Sequence, residues 1–210
     1  MNRSRAERSP RPMLSVIVCC YNEAKVLPFF HKRLMAVLKT LSIRYEVVYV
    51  NDGSRDGSWR AIEALAASTP AVRGVDLVRN SGQHNATICG IRLARGAYVV
   101  TIDDDLQYRP EDIPRLLAGL DEGADVVYGT ATSGQWGGIR NVASPLLKLA
   151  LRRTMGASTA EMVSSFRAFK VRVREGFATY SAPLSNVDVL LTWGTSRFAS
   201  VPVTLEARRD

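Results

Sequence analysis

Asp103, Asp104 and Asp105 stand side by side in the stretch TIDDDLQYRP, directly after an apolar run, with Gln107 and Pro110 close behind. Adjacent ionised carboxylates repel one another and resist removal from water, so burial drives one of them toward its neutral form unless a cation sits among them. In an extended segment Asp103 and Asp105 share one face, Gln107 continues that parity, and Asp104 takes the other side. That spacing lets carboxylates address one divalent ion bound to a diphosphate. An all-oxygen ligand set points to Mg²⁺ or Mn²⁺, whereas zinc would call for His or Cys. A capped loop before a helix at Pro110 is the competing reading, but capping asks for one acidic residue where the sequence supplies three.

Other polar residues follow apolar runs in the same way. Asp52 sits in NDGSRDGS, where two readings stand: an Asx-type turn, or a carboxylate that accepts a hydrogen bond from a nucleobase. Tyr21, Asn22 and Glu23 follow LSVIVCC, and Asn22 and Glu23 serve equally well as helix caps or as pocket residues. Arg79 and Asn80 follow VRGVDLV.

The elements that carry these residues alternate. The runs at 14–22, 46–52, 72–78, 97–104 and 125–130 are short, rich in Val, Ile and Tyr, and apolar on both faces, which predicts buried strands. Between them, 24–41, 56–68, 83–95 and 110–121 carry helical periodicity, with Asp56 a candidate N-cap and Pro110-Glu111-Asp112 suited to a first turn. Such alternation predicts an α/β fold with a mostly parallel sheet and helices on both faces. Ligands in such sheets bind beyond the carboxyl ends of the strands, where the polar residues collect. After residue 130 the pattern changes to a loop, an amphipathic basic helix at 139–155, a strand-like return at 164–170, a helix at 184–195 and a strand at 198–207.

With 210 residues, 46% apolar and 23% charged, the chain suits one globular domain over 13–210, with a first half over 13–130 that carries the polar strand ends and an acceptor-side half over 131–210. Residues 1–12 hold four arginines against one glutamate and are expected to form a disordered basic tail. Cys19, Cys20 and Cys89 make no metal-ligand spacing and suit reduced, buried thiols, hence a cytoplasmic setting. No apolar run approaches the roughly 18 residues that span a bilayer. The formal charge of +8 fits phosphate-bearing ligands or an anionic membrane surface. The basic residues are dispersed without interleaved aromatics, so nucleic acid is not an expected partner.

Four separated motifs in order, SVIVCCYNEAKVLP, VVYVNDGSRDGS, LVRNSGQHNATICGIRLARGAYVVTIDDDLQYRPEDIPRLL and DVVYGT, resemble family 2 glycosyltransferases of the GT-A (Rossmann-like) fold. Within that family RNSGQHNA and DDDLQYRPEDIP are similar to the branch that transfers sugars to polyisoprenyl phosphates, such as dolichyl or undecaprenyl phosphate. The resemblance is close over 14–130 and looser at SSFRAF and SVPVTLEAR. It implies metal-assisted, inverting transfer from a nucleoside-diphosphate sugar to a polyprenyl phosphate, by an enzyme resting peripherally on the cytoplasmic membrane face. It implies that Asp52 holds the base, that Asp103 faces the nucleoside with Asp104 beside it, that Asp105 and Gln107 hold the metal, and that Tyr21 and Glu23 line the pocket. Arg140 and Arg167 would meet phosphate oxygens.

A phosphate acceptor is already an anion and needs no general base. His31 and His84 are the only histidines, and neither is placed as one; His84 suits a structural role. For a hydroxyl acceptor Asp188 is the candidate base, against a plain role near a helix start. Relatives in the lipid branch continue into an R-x-x-G-x-S-x-Y loop and often membrane helices, whereas this sequence ends at LEARRD, so that loop and any membrane segment are expected to be absent. The Q-x-x-R-W motif of processive synthases is missing. Three classes therefore remain open: a polyprenyl-phosphate glycosyltransferase, a soluble glycosyltransferase acting on a hydroxyl, and a non-catalytic sugar-nucleotide-binding module.

Overall fold

The computed structural model describes residues 13–131, 162–182 and 185–207. The expected basic tail, the basic helix at 139–155 and Arg140 lie outside the described residues.

Among the described residues, seven strands form one sheet in the order β3-β2-β1-β4-β6-β5-β7. They are β1 (Leu14–Cys20), β2 (Tyr45–Asn51), β3 (Val72–Asp76), β4 (Tyr98–Asp103), β5 (Val126–Ala131), β6 (Arg167–Lys170) and β7 (Phe198–Val203). The helices are α1 (Leu27–Thr40), α2 (Ser58–Ser68), α3 (Gln83–Leu93), α4 (Ile113–Asp121) and α5 (Val187–Gly194), with 3₁₀ turns at Pro110–Asp112 and Val171–Phe177. All ladders are parallel except those of β6, which returns antiparallel between β4 and β5.

Alternation along the strands splits the core into two layers. Val16, Val18, Val47, Tyr49, Val100 and Ile102 face Phe30, Leu34 and Leu38 of α1, Ile62 of α2 and Leu116 of α4. Ile17, Val48, Val50, Val99 and Phe169 face Ile88 and Ile91 of α3 and Leu190 and Leu191 of α5. Burial on both faces is why these strands read as unbroken apolar runs. Gly90 lets α3 lie against β1, since a Cβ there would sit 2.3 Å from Ile17 Cγ2.

Element ends differ from the sequence reading where side chains bind backbone. Asp56 stands one residue before the helix boundary at Gly57, accepting from the Ser58 backbone N–H at 2.9 Å and from Ala24 N–H at 3.1 Å. It therefore fixes the start of α2 to the loop before α1. The helix expected at 184–195 begins at Val187, because Asn186 accepts from the Asp188 and Val189 backbone N–H groups and so caps it. The last strand stops at Val203 instead of 207, and the chain leaves the sheet to cross the loop after β4, with Tyr108 and Leu205 forming an antiparallel bridge.

Candidate active site

A pocket of about 290 Å³ opens at the carboxyl ends of β1, β2 and β4. Cys19, Cys20, Tyr21 and Glu23 line it from the end of β1, Asp52 from β2, Asn80, Gly82 and Gln83 from the turn into α3, and Asp103, Asp104 and Asp105 from β4. The loops on its rim are locked together. Ser54 Oγ accepts from Asn22 N–H at 2.9 Å, Asn22 Oδ1 accepts from Arg55 N–H at 2.9 Å, and Ser58 Oγ accepts from Glu23 N–H at 3.0 Å. Gly53, at φ +66°, permits the closest approach: a Cβ there would fall 2.4 Å from the backbone of Arg79 and Asn80.

The three aspartates take distinct environments although all three line the pocket: Asp103 ends β4, and Asp104 and Asp105 lie in the loop that follows it. Asp103 is pinned from two sides, with Oδ1 accepting from Gln83 Nε2 at 2.6 Å and Oδ2 from Ser165 Oγ at 2.6 Å. Asp104 points inward and is 4% exposed. Burial, with Glu23 and Asp103 nearby, pushes its pKa up to about 8 against the opposing effect of the Cys20 thiol. Its Oδ2 is buried without a hydrogen-bond partner. Asp105 Oδ1 accepts from the Gln107 backbone N–H at 3.0 Å. Gln107 follows the pocket wall and is not among the lining residues. Between them Leu106 holds φ +62°.

Glu23, Asp52, Asp103, Asp104 and Asp105 give the pocket five carboxyl groups, and no lysine or arginine is among its described lining residues. An anionic ligand entering such a pocket needs a cation with it. Among the described residues no group of three or more His, Cys, Asp or Glu side chains is placed to hold a metal. An ion bound there would draw on few protein oxygens and complete its shell with ligand and water oxygens, as Mg²⁺ does at phosphate sites. The excess of carboxylates and the orphaned Asp104 oxygen fit a hard divalent cation, and the two lining thiols, Cys19 and Cys20, are pushed by burial away from the thiolate form that would bind a softer one.

Asp52 has a structural use: Oδ1 accepts from Ser81 N–H at 2.7 Å and Oδ2 from Gly82 N–H at 3.0 Å, holding the turn into α3 against the end of β2. Each oxygen keeps a further lone pair, so contact with a base is not blocked. Tyr21 is 45% exposed at the rim.

Arg167 and Asp188 come together in the structure. Expected as separate catalytic groups, they form one buried ion pair, at 4% and 3% exposure, and neither lines the pocket. Arg167 also donates from Nε to Thr101 Oγ1 at 3.1 Å and lies over the Tyr128 ring, whose hydroxyl donates to Asp188 at 3.0 Å. A lone arginine in an apolar strand must find a countercharge, and α5 supplies it. His84 accepts from Val187 N–H at 3.4 Å, joining the starts of α3 and α5, and His31 bonds the Tyr49 hydroxyl at 3.0 Å in the interior. All three cysteines are free thiols, and burial pushes Cys19 and Cys20 far from thiolate formation.

Gln83 and Ser165, which hold the Asp103 carboxylate, are the site neighbours that residue-by-residue reading missed. Their stretches, RNSGQHNA and SSFRAF, were informative; that both converge on Asp103 is a tertiary fact.

Residues 15–177 match the family model described as glycosyl transferase family 2. A relative from Klebsiella pneumoniae named undecaprenyl-phosphate 4-deoxy-4-formamido-L-arabinose transferase is 33% identical over 202 residues, covering 96% of this chain and 62% of that protein. One of the same name from Pseudomonas fluorescens is 38% identical over 196 residues, covering 92% and 57%. The chain thus spans roughly three fifths of the length of these curated relatives. Glucosyl-3-phosphoglycerate synthase from Mycobacterium tuberculosis, crystallised with Mn²⁺, uridine-diphosphate-glucose and phosphoglyceric acid, superposes with a TM-score of 0.68 at 23% identity, covering 95% of this chain and 72% of that one. That likeness speaks for a shared fold.

Proposed function

The chain belongs to glycosyl transferase family 2, and on that premise we propose that it transfers a sugar, with inversion, from a nucleoside-diphosphate sugar to a polyprenyl phosphate such as undecaprenyl phosphate. The observation that carries this reading is the pocket at the ends of β1, β2 and β4, with five carboxyl groups and no described basic residue. A nucleoside diphosphate enters such a pocket only with its charge compensated. Asp105 and Gln107 would hold Mg²⁺ or Mn²⁺ there, and the bound ion would stabilise the departing diphosphate as a Lewis acid.

The protein's own residues supply orientation. Gln83 and Ser165 fix the Asp103 carboxylate toward the nucleoside side, Asp52 holds the Ser81-Gly82 turn that walls the base end, and Tyr21 and Glu23 border the entrance. A phosphate acceptor supports the reading further: it attacks as an anion, and the expected base for a hydroxyl acceptor, Asp188, is tied to Arg167 in the interior. The relatives' names point to the same acceptor class. Arg140, outside the described residues, remains a proposed phosphate contact. Among the described residues no helix is long and apolar enough to cross a membrane; we propose peripheral association with the cytoplasmic face, where a polyprenyl phosphate presents its headgroup.

The test uses radiolabelled nucleotide sugars with undecaprenyl phosphate in detergent micelles, with and without Mn²⁺. Label should pass into the organic phase only with metal, and Asp105→Ala should abolish it. Transfer to water-soluble hydroxyl acceptors alone would favour the soluble-enzyme reading. Nucleotide binding without any turnover would favour a non-catalytic module.

A further inference from the structure

The loop bearing Asp105 and Gln107 is gripped from outside the pocket. After β7 the chain crosses this loop: Glu206 N–H donates to the Gln107 carbonyl at 2.9 Å, Leu205 bridges Tyr108, and Thr204 N–H donates to Asp112 Oδ2 at 3.4 Å. Arg33 of α1 holds the crossing segment with both prongs of its guanidinium, donating to Glu206 Oε2 at 2.8 Å and Oε1 at 2.6 Å. Its Nε donates to Glu111 Oε1 at 2.6 Å, at the far end of the same loop. Arg109 closes the group, with Nε 3.4 Å from Glu206.

The loop needs such a grip. Leu106 is a non-glycine residue at φ +62°, a left-handed conformation that its Cβ disfavours, and it lies between the two expected metal-holding residues. Strained backbone of this kind persists only where its surroundings over-determine it. Here the Leu106 side chain is buried, Gln107 N–H is taken by Asp105, and Gln107 C=O is taken by Glu206. The Arg33, Glu111 and Glu206 side chains are 24–38% exposed, so their pairing contributes little to global stability. Its effect is on local geometry.

We infer that Arg33, acting through Glu206 and Glu111, is a positioning residue that sets the spacing of Asp105 and Gln107 for a metal-bound diphosphate. This rests on the proposed metal role of those two residues. A bidentate arginine suits the task because its planar fork fixes the carboxylate in direction as well as distance, which a lysine ammonium does not.

The test compares wild type, Arg33→Met, Arg33→Lys and Glu206→Gln. UDP, GDP and dTDP are titrated by calorimetry with and without Mn²⁺, and the tightest binder is carried through the variants; amide exchange across 105–109 is followed in the ligand-free protein. Arg33→Met should reduce the Mn²⁺-dependent gain in affinity by about tenfold, a size typical of groups supporting a metal ligand. Metal-free affinity should stay within about twofold and the thermal midpoint nearly unchanged, exchange at 105–109 should quicken, and Arg33→Lys should restore only part of the gain. An undiminished Mn²⁺-dependent gain in Arg33→Met, unchanged exchange at 105–109, or an equal loss of affinity with and without metal would overturn the inference. A wild type that binds nucleotide with no Mn²⁺-dependent gain would instead overturn the metal role of Asp105 and Gln107, and the inference with it.

Discussion

Replacing Asp52 by asparagine exchanges one carboxylate oxygen for an NH₂ group at the joint between β2 and α3. In the wild type both carboxylate oxygens accept backbone N–H groups, from Ser81 at 2.7 Å and Gly82 at 3.0 Å, and the residue is 3% exposed. The amide keeps one acceptor, now uncharged, and turns its NH₂ toward the other N–H. Its best orientation aims NH₂ at Gly82, whose N–H retains Asn80 Oδ1 at 3.1 Å as a second acceptor. Hydrogen bonds to a charged group contribute about 1.5–3 kcal/mol and neutral ones about 0.5–1.5 kcal/mol. Weakening one and losing the other should therefore cost about 2–3 kcal/mol, a fall in thermal midpoint of roughly 5–10 °C for a domain of this size. Urea denaturation should show a lower midpoint with an unchanged slope, since the exposed area on unfolding is the same. Nucleotide affinity should fall as well, because the released turn carries Asn80 and Gln83 into the pocket wall. A variant within about 0.5 kcal/mol of wild type refutes the tether. If such a variant also fails to bind nucleotide, Asp52 acts by touching the base.

Asp104→Asn should stabilise the metal-free protein increasingly as pH rises. The unfolded carboxyl ionises near 3.8 and the folded one near 8, among Cys20, Glu23 and Asp103, so between those values the folded state binds more protons and wild-type stability falls with pH. At about 1.4 kcal/mol per pH unit, the variant's advantage grows from nothing near pH 4 to several kcal/mol near pH 8, and parallel stability curves would show that Asp104 is not held neutral. Arg167→Met leaves Asp188 buried without its partner and should cost about 3–5 kcal/mol in urea denaturation, while Arg167→Met with Asp188→Leu recovers part of that loss; a strictly additive pair would refute the coupling. Asp125 accepts from Arg172, Thr195 and Arg197 at 2.7–3.0 Å, and these bonds, against the upward pull of burial, hold its pKa well below the carboxylate range. Its stabilisation is present above the unfolded pKa and lost as pH falls toward the folded one, so Asp125→Asn should flatten the acid limb of the stability curve and cost about 1–3 kcal/mol at neutral pH.

The amino-acid sequence alone specifies the alternating strands and helices and the sheet edge on which the polar residues collect. These follow from local rules: a period of two in strands, apolar runs where both faces are covered, and turn residues at strand ends. The family was legible for the same reason, since its motifs are contiguous stretches. Partners far apart in the chain are set by how the elements pack. Nothing local to Arg167 or Asp188 says that β6 and α5 bring them together, and the sequence reading gave each a separate task. Gln83 and Ser165 meet on Asp103 because the start of α3 and the segment leading into β6, which pairs with β4, both reach the end of β4. Arg33 and Glu206 reach the loop at Gln107 because β7 ends at Val203 and the chain then turns across the sheet edge. A side chain's neighbours within a few residues are set by backbone geometry, whereas its long-range partners depend on how the layers stack, and that is fixed by the burial of the whole core at once.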